Sequence, residues 1–152
     1  MIKILFVCHG NICRSPMAEF VMKHELEREN LSEKVFVASA ATSNEEIGNM
    51  PHPGTRRKLA EFNISTKGKY AVQMSADDYL KYDYIFGMDS DNIRNILRIV
   101  KSDPKNKIKR FLDITDTPGN IADPWFTGDF EQTYRDIKKG TAALMNIIRK
   151  KV

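Results

Sequence analysis

The chain has 152 residues, of which 41% are hydrophobic and 29% are charged, proportions that are typical of one globular domain over residues 1–152 and argue against a disordered chain. Its 24 basic and 20 acidic residues give a net charge of +4, which favours anionic ligands but is too small to indicate a nucleic-acid partner. No apolar run reaches the roughly 20 residues of a membrane span, and the first residues lack the apolar core and cleavage site of a signal peptide, so we expect a cytoplasmic protein without a membrane partner.

The first predicted element is a strand at the start of the chain. Ile2 to Val7 is a nearly continuous apolar run with β-branched residues, which is typical of a strand buried on both faces of a parallel sheet. The run ends in a short loop, and Ser15 followed by Pro16 predicts the N-cap and first turn of a helix. Residues 1–30 therefore predict a strand, a tight loop and a helix.

Strands and helices alternate along the rest of the chain. Three further apolar runs predict strands, at Val35–Ala38, Tyr82–Met88 and Ile108–Leu112. Periodic apolar residues predict one helix after Asp89 and a long terminal helix from Phe130, while segments 42–54 and 115–128 contain glycine and proline and are predicted to be loops. This alternation predicts an α/β fold with a parallel sheet, in which ligands bind beyond the carboxyl ends of the strands.

The two cysteines, Cys8 and Cys13, both lie near the start of the chain. Two cysteines exclude a disulfide framework, and a zinc site needs about four N or S ligands, whereas His9, His24 and His52 have no metal-ligand spacing with them. We therefore expect no metal site, and we interpret the cysteines as either reactive or buried. His24 and His52 are predicted to be surface residues.

The loop after the first strand has the residues of a nucleophilic anion site. Cys8 is followed six residues later by Arg14 and then by Ser15. The thiolate is the reactive form of cysteine, and it is scarce at neutral pH in water, so the loop must stabilise the charge. Inward-pointing backbone N–H groups and the following helix N-terminus would do so, while the planar guanidinium of Arg14 can bind two phosphate oxygens. The Ser15 hydroxyl is placed to donate to the sulfur.

The intervening residues suit a loop that curls around a tetrahedral dianion. Gly10 is predicted to relieve steric conflict in the curled backbone, and Asn11 tolerates a left-handed conformation. The predicted phosphate-binding residues are His9, Gly10, Asn11, Ile12, Cys13, Arg14 and Ser15.

A departing oxygen also needs a proton donor near the loop, and Asp123 is the favoured candidate. Pro124 stiffens the backbone after it, and Trp125 and Phe126 could hold a flat substrate ring beside the acid. An Asp-Pro pair alone usually marks a turn. The cysteine loop is what makes Asp123 a catalytic candidate.

Over nearly its whole length the chain resembles the low-molecular-weight protein tyrosine phosphatases. The matching segments are Val7–Cys8 with Gly10–Glu19, Ser39–Ser43 followed by Gly48, Tyr82–Ile85 leading into Met88–Asp89 and Asn92, and Asp123–Pro124 ahead of Phe130–Glu131. The resemblance implies a three-layer α/β fold, with a four-stranded parallel sheet, helices on both faces and the phosphate loop between the first strand and the first helix.

The resemblance also implies residue roles and an activity. Cys8 would be the nucleophile, Arg14 the phosphate clamp and Asp123 the general acid and base, while Asn11 and Ser15, with Ser39 nearby, would support the loop. The activity implied is hydrolysis of phosphotyrosine in proteins and of small aryl phosphates through a cysteinyl phosphate, without cofactor or metal, by a monomer or weak dimer.

Some alternatives remain open. Cys13 either fills space beneath the loop or traps oxidised Cys8 as a disulfide, and the resemblance favours the disulfide. An arsenate reductase of the same fold would need further cysteines, which the chain lacks after Cys13. A non-catalytic phosphoanion-binding module would not need Asp123.

The chain departs from the family pattern near the predicted site. Glu45 stands on a wall of the site where relatives often carry an aromatic residue, and a histidine common in the segment around residues 67–72 is missing. His9 replaces a usually apolar residue, and it either favours phosphate when protonated or lies at the pocket rim without a chemical role. Trp125 and Phe126 replace tyrosines, so phosphorylation of that pair is excluded.

Overall fold

Four parallel strands form the centre of the fold in a computed structural model that describes residues 1–152. The strands are β1 (Ile2–Cys8), β2 (Val35–Ala41), β3 (Tyr84–Gly87) and β4 (Ile108–Arg110). The α-helices are α1 (Arg14–Arg28), α2 (Pro53–Ala60), α3 (Asp78–Lys81), α4 (Ser90–Val100), α5 (Pro124–Thr127) and α6 (Phe130–Arg149), and a 3-10 helix spans Phe111–Ile114. No helix combines the length and the hydropathy needed to cross a membrane.

The strand order β2-β1-β3-β4 places the first strand inside the sheet, and both of its faces are buried. Ile4 and Phe6 belong to the core shared with α1 and α6, whereas Leu5 and Val7 belong to the core shared with α3 and α4. Helices therefore cover both faces of the sheet, and the predicted three-layer α/β fold is confirmed. Because the strands are parallel, the loops that follow β1, β2 and β3 meet at one edge.

The predicted ends of β2, β3 and β4 need correction. β2 continues through Ser39 to Ala41, because the Ser39 hydroxyl is buried but donates to a carboxylate oxygen of Glu19. β3 is shorter than predicted at both ends, spanning Tyr84–Gly87. The fourth strand ends at Arg110, where a 3-10 turn carries the Phe111 ring into the core.

The predicted helix starts also need correction. Ser15 is not an N-cap, because α1 begins at Arg14 and the Ser15 hydroxyl faces the Cys8 sulfur instead. Two proline-containing parts of the predicted loops are helical. Pro53 and Pro124 each occupy the first turn of a helix, where the backbone N–H that proline lacks would have no partner within the helix. His52, predicted at the surface, is partly buried and caps α2.

Candidate active site

Carbonyl groups of the segment that joins β1 to α1 accept hydrogen bonds from residues outside this segment. Backbone N–H groups of Thr42, Ser43 and His52 donate to the carbonyl oxygens of Cys8, His9 and Ile12 at 3.0, 3.1 and 2.7 Å, respectively. The backbone N–H groups of residues 9–13 donate to no backbone carbonyl. A run of N–H groups left free in this way forms a concave site for an anion.

Asn11 stabilises the loop through hydrogen bonds of its buried side chain. Its φ of 59° is left-handed, and its Nδ2 donates to the hydroxyls of Ser15 at 2.8 Å and Ser39 at 2.9 Å. The Ser39 hydroxyl in turn donates to Oε1 of Glu19 at 2.5 Å. Because Ser15 accepts from Asn11, its own hydrogen is free to donate to the Cys8 sulfur, 3.0 Å away, and this hydrogen bond favours the thiolate.

A buried carboxylate anchors this chain of hydrogen bonds. The Glu19 side chain is 6% exposed and accepts from Nζ of Lys23 at 2.5 Å, while Nζ of Lys69 lies 3.6 Å from its other oxygen and donates to the Ser39 carbonyl at 2.9 Å. Burial lowers the pKa of Lys69, and the charge of Glu19 opposes that shift. Neither Glu19 nor Lys69 was predicted as a site residue, although Lys69 lies in the segment where relatives often carry a histidine.

Arg14 reaches the pocket as a guanidinium that is 2% exposed. Its Nη1 donates to Oδ2 of Asp89 at 2.6 Å and to the Ile121 carbonyl at 2.9 Å, and its Nη2 lies 3.4 Å from Oδ2 of Asp123. Burial by itself would lower the pKa of Arg14, but Cys8, Asp89 and Asp123 outweigh it and raise that pKa above its usual value. The Nε–H group is buried without a protein partner, so it and the second hydrogen of Nη2 can each donate to an anion oxygen.

Asp89 was not among the predicted site residues, although it precedes a predicted helix and lies in one of the segments that resemble the family. Its Oδ1 accepts from the N–H of Asn92 at 2.8 Å and caps α4, and its Oδ2 accepts from Arg14. One carboxylate thus fixes the helix start and the direction of the guanidinium. The available signal was its position just after β3, at the edge of the sheet where the site lies.

Asp123 and the two aromatic residues after it, Trp125 and Phe126, line the pocket together with Glu45 and Glu46. Oδ1 of Asp123 accepts a hydrogen bond from the N–H of Trp125 at 3.1 Å, and this bond caps α5. Trp125 and Phe126 are 56% and 82% exposed. Nε2 of His9 and a carboxylate oxygen of Glu45 form a hydrogen bond in the exposed part of the pocket lining. An acid, an aromatic wall and a charged rim therefore surround the sulfur.

Most predicted site residues share one pocket of about 250 Å³. It is lined by Cys8, His9, Gly10, Ile12, Cys13, Arg14, Glu45, Glu46, Asp123, Trp125 and Phe126. Asn11, Ser15 and Ser39 do not line it. Glu46 was not a predicted site residue. A Cβ on Gly10 would lie 3.3 Å from Cγ of Glu46, and the φ of Gly10 is not positive. The steric conflict that this glycine relieves is therefore with the Glu46 side chain.

Cys13 is a buried free thiol that lines the same pocket as Cys8. Burial raises its pKa to about 12, and the negative charges of Cys8 and Asp123 add to the shift. Cys13 therefore stays protonated at neutral pH and is not in the reactive thiolate form. No group of three or more His, Cys, Asp or Glu side chains is arranged to hold a metal ion.

Comparisons with known proteins agree over nearly the full chain. The family model described as low molecular weight phosphotyrosine protein phosphatase matches residues 3–152. The low molecular weight protein-tyrosine-phosphatase YfkJ of Bacillus subtilis (strain 168) is 39% identical over 99% of this chain and 97% of its own length. The relative of the same family in Schizosaccharomyces pombe is 40% identical over 84% of this chain and 83% of its own length.

Two solved structures are similar in fold as well as in sequence. The crystal structure of YfkJ superposes with a TM-score of 0.96 at 38% identity, covering 99% of this chain and 96% of that one. The low molecular weight protein tyrosine phosphatase of Streptococcus pyogenes gives a TM-score of 0.86 at 41% identity, covering 96% of this chain and 92% of that one.

Proposed function

This chain belongs to the low molecular weight phosphotyrosine protein phosphatase family, a family of cysteine-dependent enzymes, and we propose that Cys8, Arg14 and Asp123 carry its reaction. The substrates are phosphotyrosine in proteins and small aryl phosphates. One observation carries the proposal: the buried Arg14 guanidinium, whose Nε–H has no protein partner, belongs to a residue that lines the same pocket as Cys8 and Asp123. A phosphate dianion supplies the oxygens that this guanidinium and the free loop N–H groups need.

In the first step, the Cys8 thiolate attacks phosphorus in line with the aryl oxygen. A sulfur–phosphorus bond forms, the phosphorus–oxygen bond to the ring breaks, and its electron pair stays on the leaving oxygen. Asp123 gives that oxygen its proton. Arg14 and the N–H groups of residues 9–13 hold the equatorial oxygens, where charge accumulates in the transition state.

In the second step, water attacks the cysteinyl phosphate. The ionised Asp123 takes a proton from the water, an oxygen–phosphorus bond forms, and Cys8 leaves as the thiolate. The Ser15 hydroxyl, 3.0 Å from the sulfur, stabilises that leaving group as it stabilised the nucleophile. Phosphate is released, and the carboxylic acid of Asp123 is restored for the next cycle.

The pocket walls favour an aryl ester over an alkyl ester. A phenolate leaves with less proton assistance than an alkoxide, so one carboxylic acid is sufficient for it. Trp125 lines the same pocket as Cys8 and offers a face against which a phenyl ring can pack. We therefore infer a preference for phosphotyrosine over phosphoserine.

Hydrolysis of a chromogenic aryl phosphate in the presence of a metal chelator tests the proposal directly. We expect full turnover with chelator, slow turnover of an alkyl phosphate, and a phosphoenzyme on Cys8 that acid quenching traps. A phosphoanion-binding module would bind inorganic phosphate without releasing the phenol. An arsenate reductase would instead oxidise thiols when arsenate is added, and either result would contradict the proposal.

Cys13 is expected to protect the nucleophile from irreversible oxidation. Peroxide converts the Cys8 thiolate to a sulfenic acid, and the Cys13 thiol condenses with it to give a disulfide and water. After prolonged peroxide exposure, added thiol should restore the wild-type activity, whereas Cys13→Ser should recover only a fraction of the activity that it had before exposure. Full recovery of Cys13→Ser after the same exposure would argue against the disulfide.

A further inference from the structure

His52 connects the phosphate loop to the start of α2. Its backbone N–H donates to the Ile12 carbonyl at 2.7 Å, and its ring Nδ1 accepts from the N–H of Gly54 at 2.9 Å as the N-cap of α2. Because Nδ1 is an acceptor here, the neutral ring carries its proton on Nε2. Asn, Asp and Ser are the preferred N-cap residues, so capping alone does not account for a histidine at this position.

The ring of His52 also contacts two aromatic side chains from later in the chain. It stacks on Phe130, the first residue of α6, with ring centroids 5.1 Å apart and planes at 22°. It meets Trp125 edge to face, with centroids 5.7 Å apart and planes at 84°. Both geometries are favourable for aromatic pairs. Gly54 makes room for this packing, since a Cβ there would lie 2.4 Å from the Phe130 ring.

Trp125 stands in a short segment of the pocket wall. It belongs to α5, which has four residues and is too short to be stable without tertiary contacts. The indole is 56% exposed, and His52 is the aromatic ring that touches it. Loss of the His52 ring would leave the indole free to turn toward solvent. The hydrogen bonds that Asp123 accepts from the Trp125 N–H and from Arg14 involve no atom of His52.

We propose that His52 is a positioning residue for substrate binding, whose ring holds the Trp125 indole as the wall against which the aryl group of the substrate packs. The inference rests on the proposed function, because the aryl group is that of phosphotyrosine or an aryl phosphate. The phosphate group itself is bound by the loop and Arg14. His52 therefore affects binding of the ring and not binding of the anion.

Two variants separate the ring from the cap. His52→Asn keeps an N-cap acceptor and the backbone N–H but removes the ring. It should raise KM for an aryl phosphate about 2- to 10-fold, the equivalent of an aromatic pair worth about 0.5–1.5 kcal/mol, with a smaller change in kcat and an unchanged inhibition constant for inorganic phosphate. His52→Phe keeps a ring and loses the acceptor, so its KM should stay near wild type while its melting temperature falls by about 2–4 °C.

Fluorescence gives a readout that does not depend on activity. Trp125 is the single tryptophan of the chain, so its emission should move to longer wavelength in His52→Asn and remain near wild type in His52→Phe. An unchanged KM and unchanged emission in a folded His52→Asn would overturn the inference, as would an equal rise of KM for the aryl phosphate and of the inhibition constant for phosphate. Failure of the wild-type protein to hydrolyse aryl phosphates would instead overturn the proposed function, and the emission comparison would still test the contact between His52 and Trp125.

Discussion

Replacement of Cys8 by serine is expected to abolish hydrolysis of aryl phosphates. An alcohol at this position is almost entirely protonated at neutral pH, and the hydrogen bond from Ser15, which stabilises a thiolate, does not ionise a serine to a useful extent. Loss of an attacking nucleophile lowers kcat by about a million-fold in well-studied hydrolases, and we expect a comparable loss here. Stopped-flow and long-time assays of phenol release measure the decrease.

Retained anion binding in Cys8→Ser distinguishes loss of chemistry from loss of structure. Arg14 and the loop N–H groups are untouched, so inorganic phosphate should still bind, as measured by calorimetry. Cys13→Ser is the matched control, since it removes the other thiol of the same loop and is expected to turn over. Measurable turnover in Cys8→Ser, at a rate that contaminating phosphatase does not explain, would exclude Cys8 as the nucleophile.

The shared location of Cys8 and Arg14 could be predicted because the two residues are close in sequence. Cys8, Arg14 and Ser15 lie between one strand and one helix, so their spacing alone places a thiol, a guanidinium and a hydroxyl around one loop. Asp123 needed additional support, since an Asp-Pro pair by itself indicates a turn. The resemblance to a known family supplied that support.

The residues that were not predicted act through contacts distant in sequence. Asp89 is 75 residues from Arg14 along the chain, and the two meet because β1 and β3 are neighbours in the parallel sheet. Sequence patterns identified both strands, but several carboxylates follow strand ends, and side-chain packing decides which of them meets the guanidinium. Glu19 lies on the predicted first helix and gave no signal, because a glutamate on a helix is ordinarily a solvated residue.

The wrong predictions about the fold also concern residues whose contacts are distant in sequence. Ser39 was predicted to end a strand because serine is polar, yet its hydroxyl is satisfied by Glu19 inside the protein and the strand continues. His52 was predicted at the surface. Its hydrogen bond to Gly54 is local, but its contacts with Ile12, Phe130 and Trp125 join segments that are distant along the chain.

Replacement of Asp123 by alanine is expected to lower kcat by about 100- to 10,000-fold, the usual contribution of general acid–base catalysis. The loss should be smallest for aryl phosphates with strongly acidic phenols, because their phenolates leave without a proton, and largest for phosphotyrosine itself. The pH profile supplies a second measure. Activity that requires a protonated acid falls as the pH rises, so the variant should lose the high-pH limb of kcat/KM and keep the low-pH limb.

Asp123 also caps α5, so the alanine variant alone could lose activity through disorder of the aromatic wall. Asp123→Asn resolves this, because the amide oxygen can still accept from the Trp125 N–H while the side chain can no longer exchange a proton with the substrate. If proton transfer is the role of Asp123, the asparagine and alanine variants should lose kcat by similar factors, and both should lose the high-pH limb. If the cap is its role, asparagine should restore most of the activity, and the acid for this reaction would then have to be another group in the pocket.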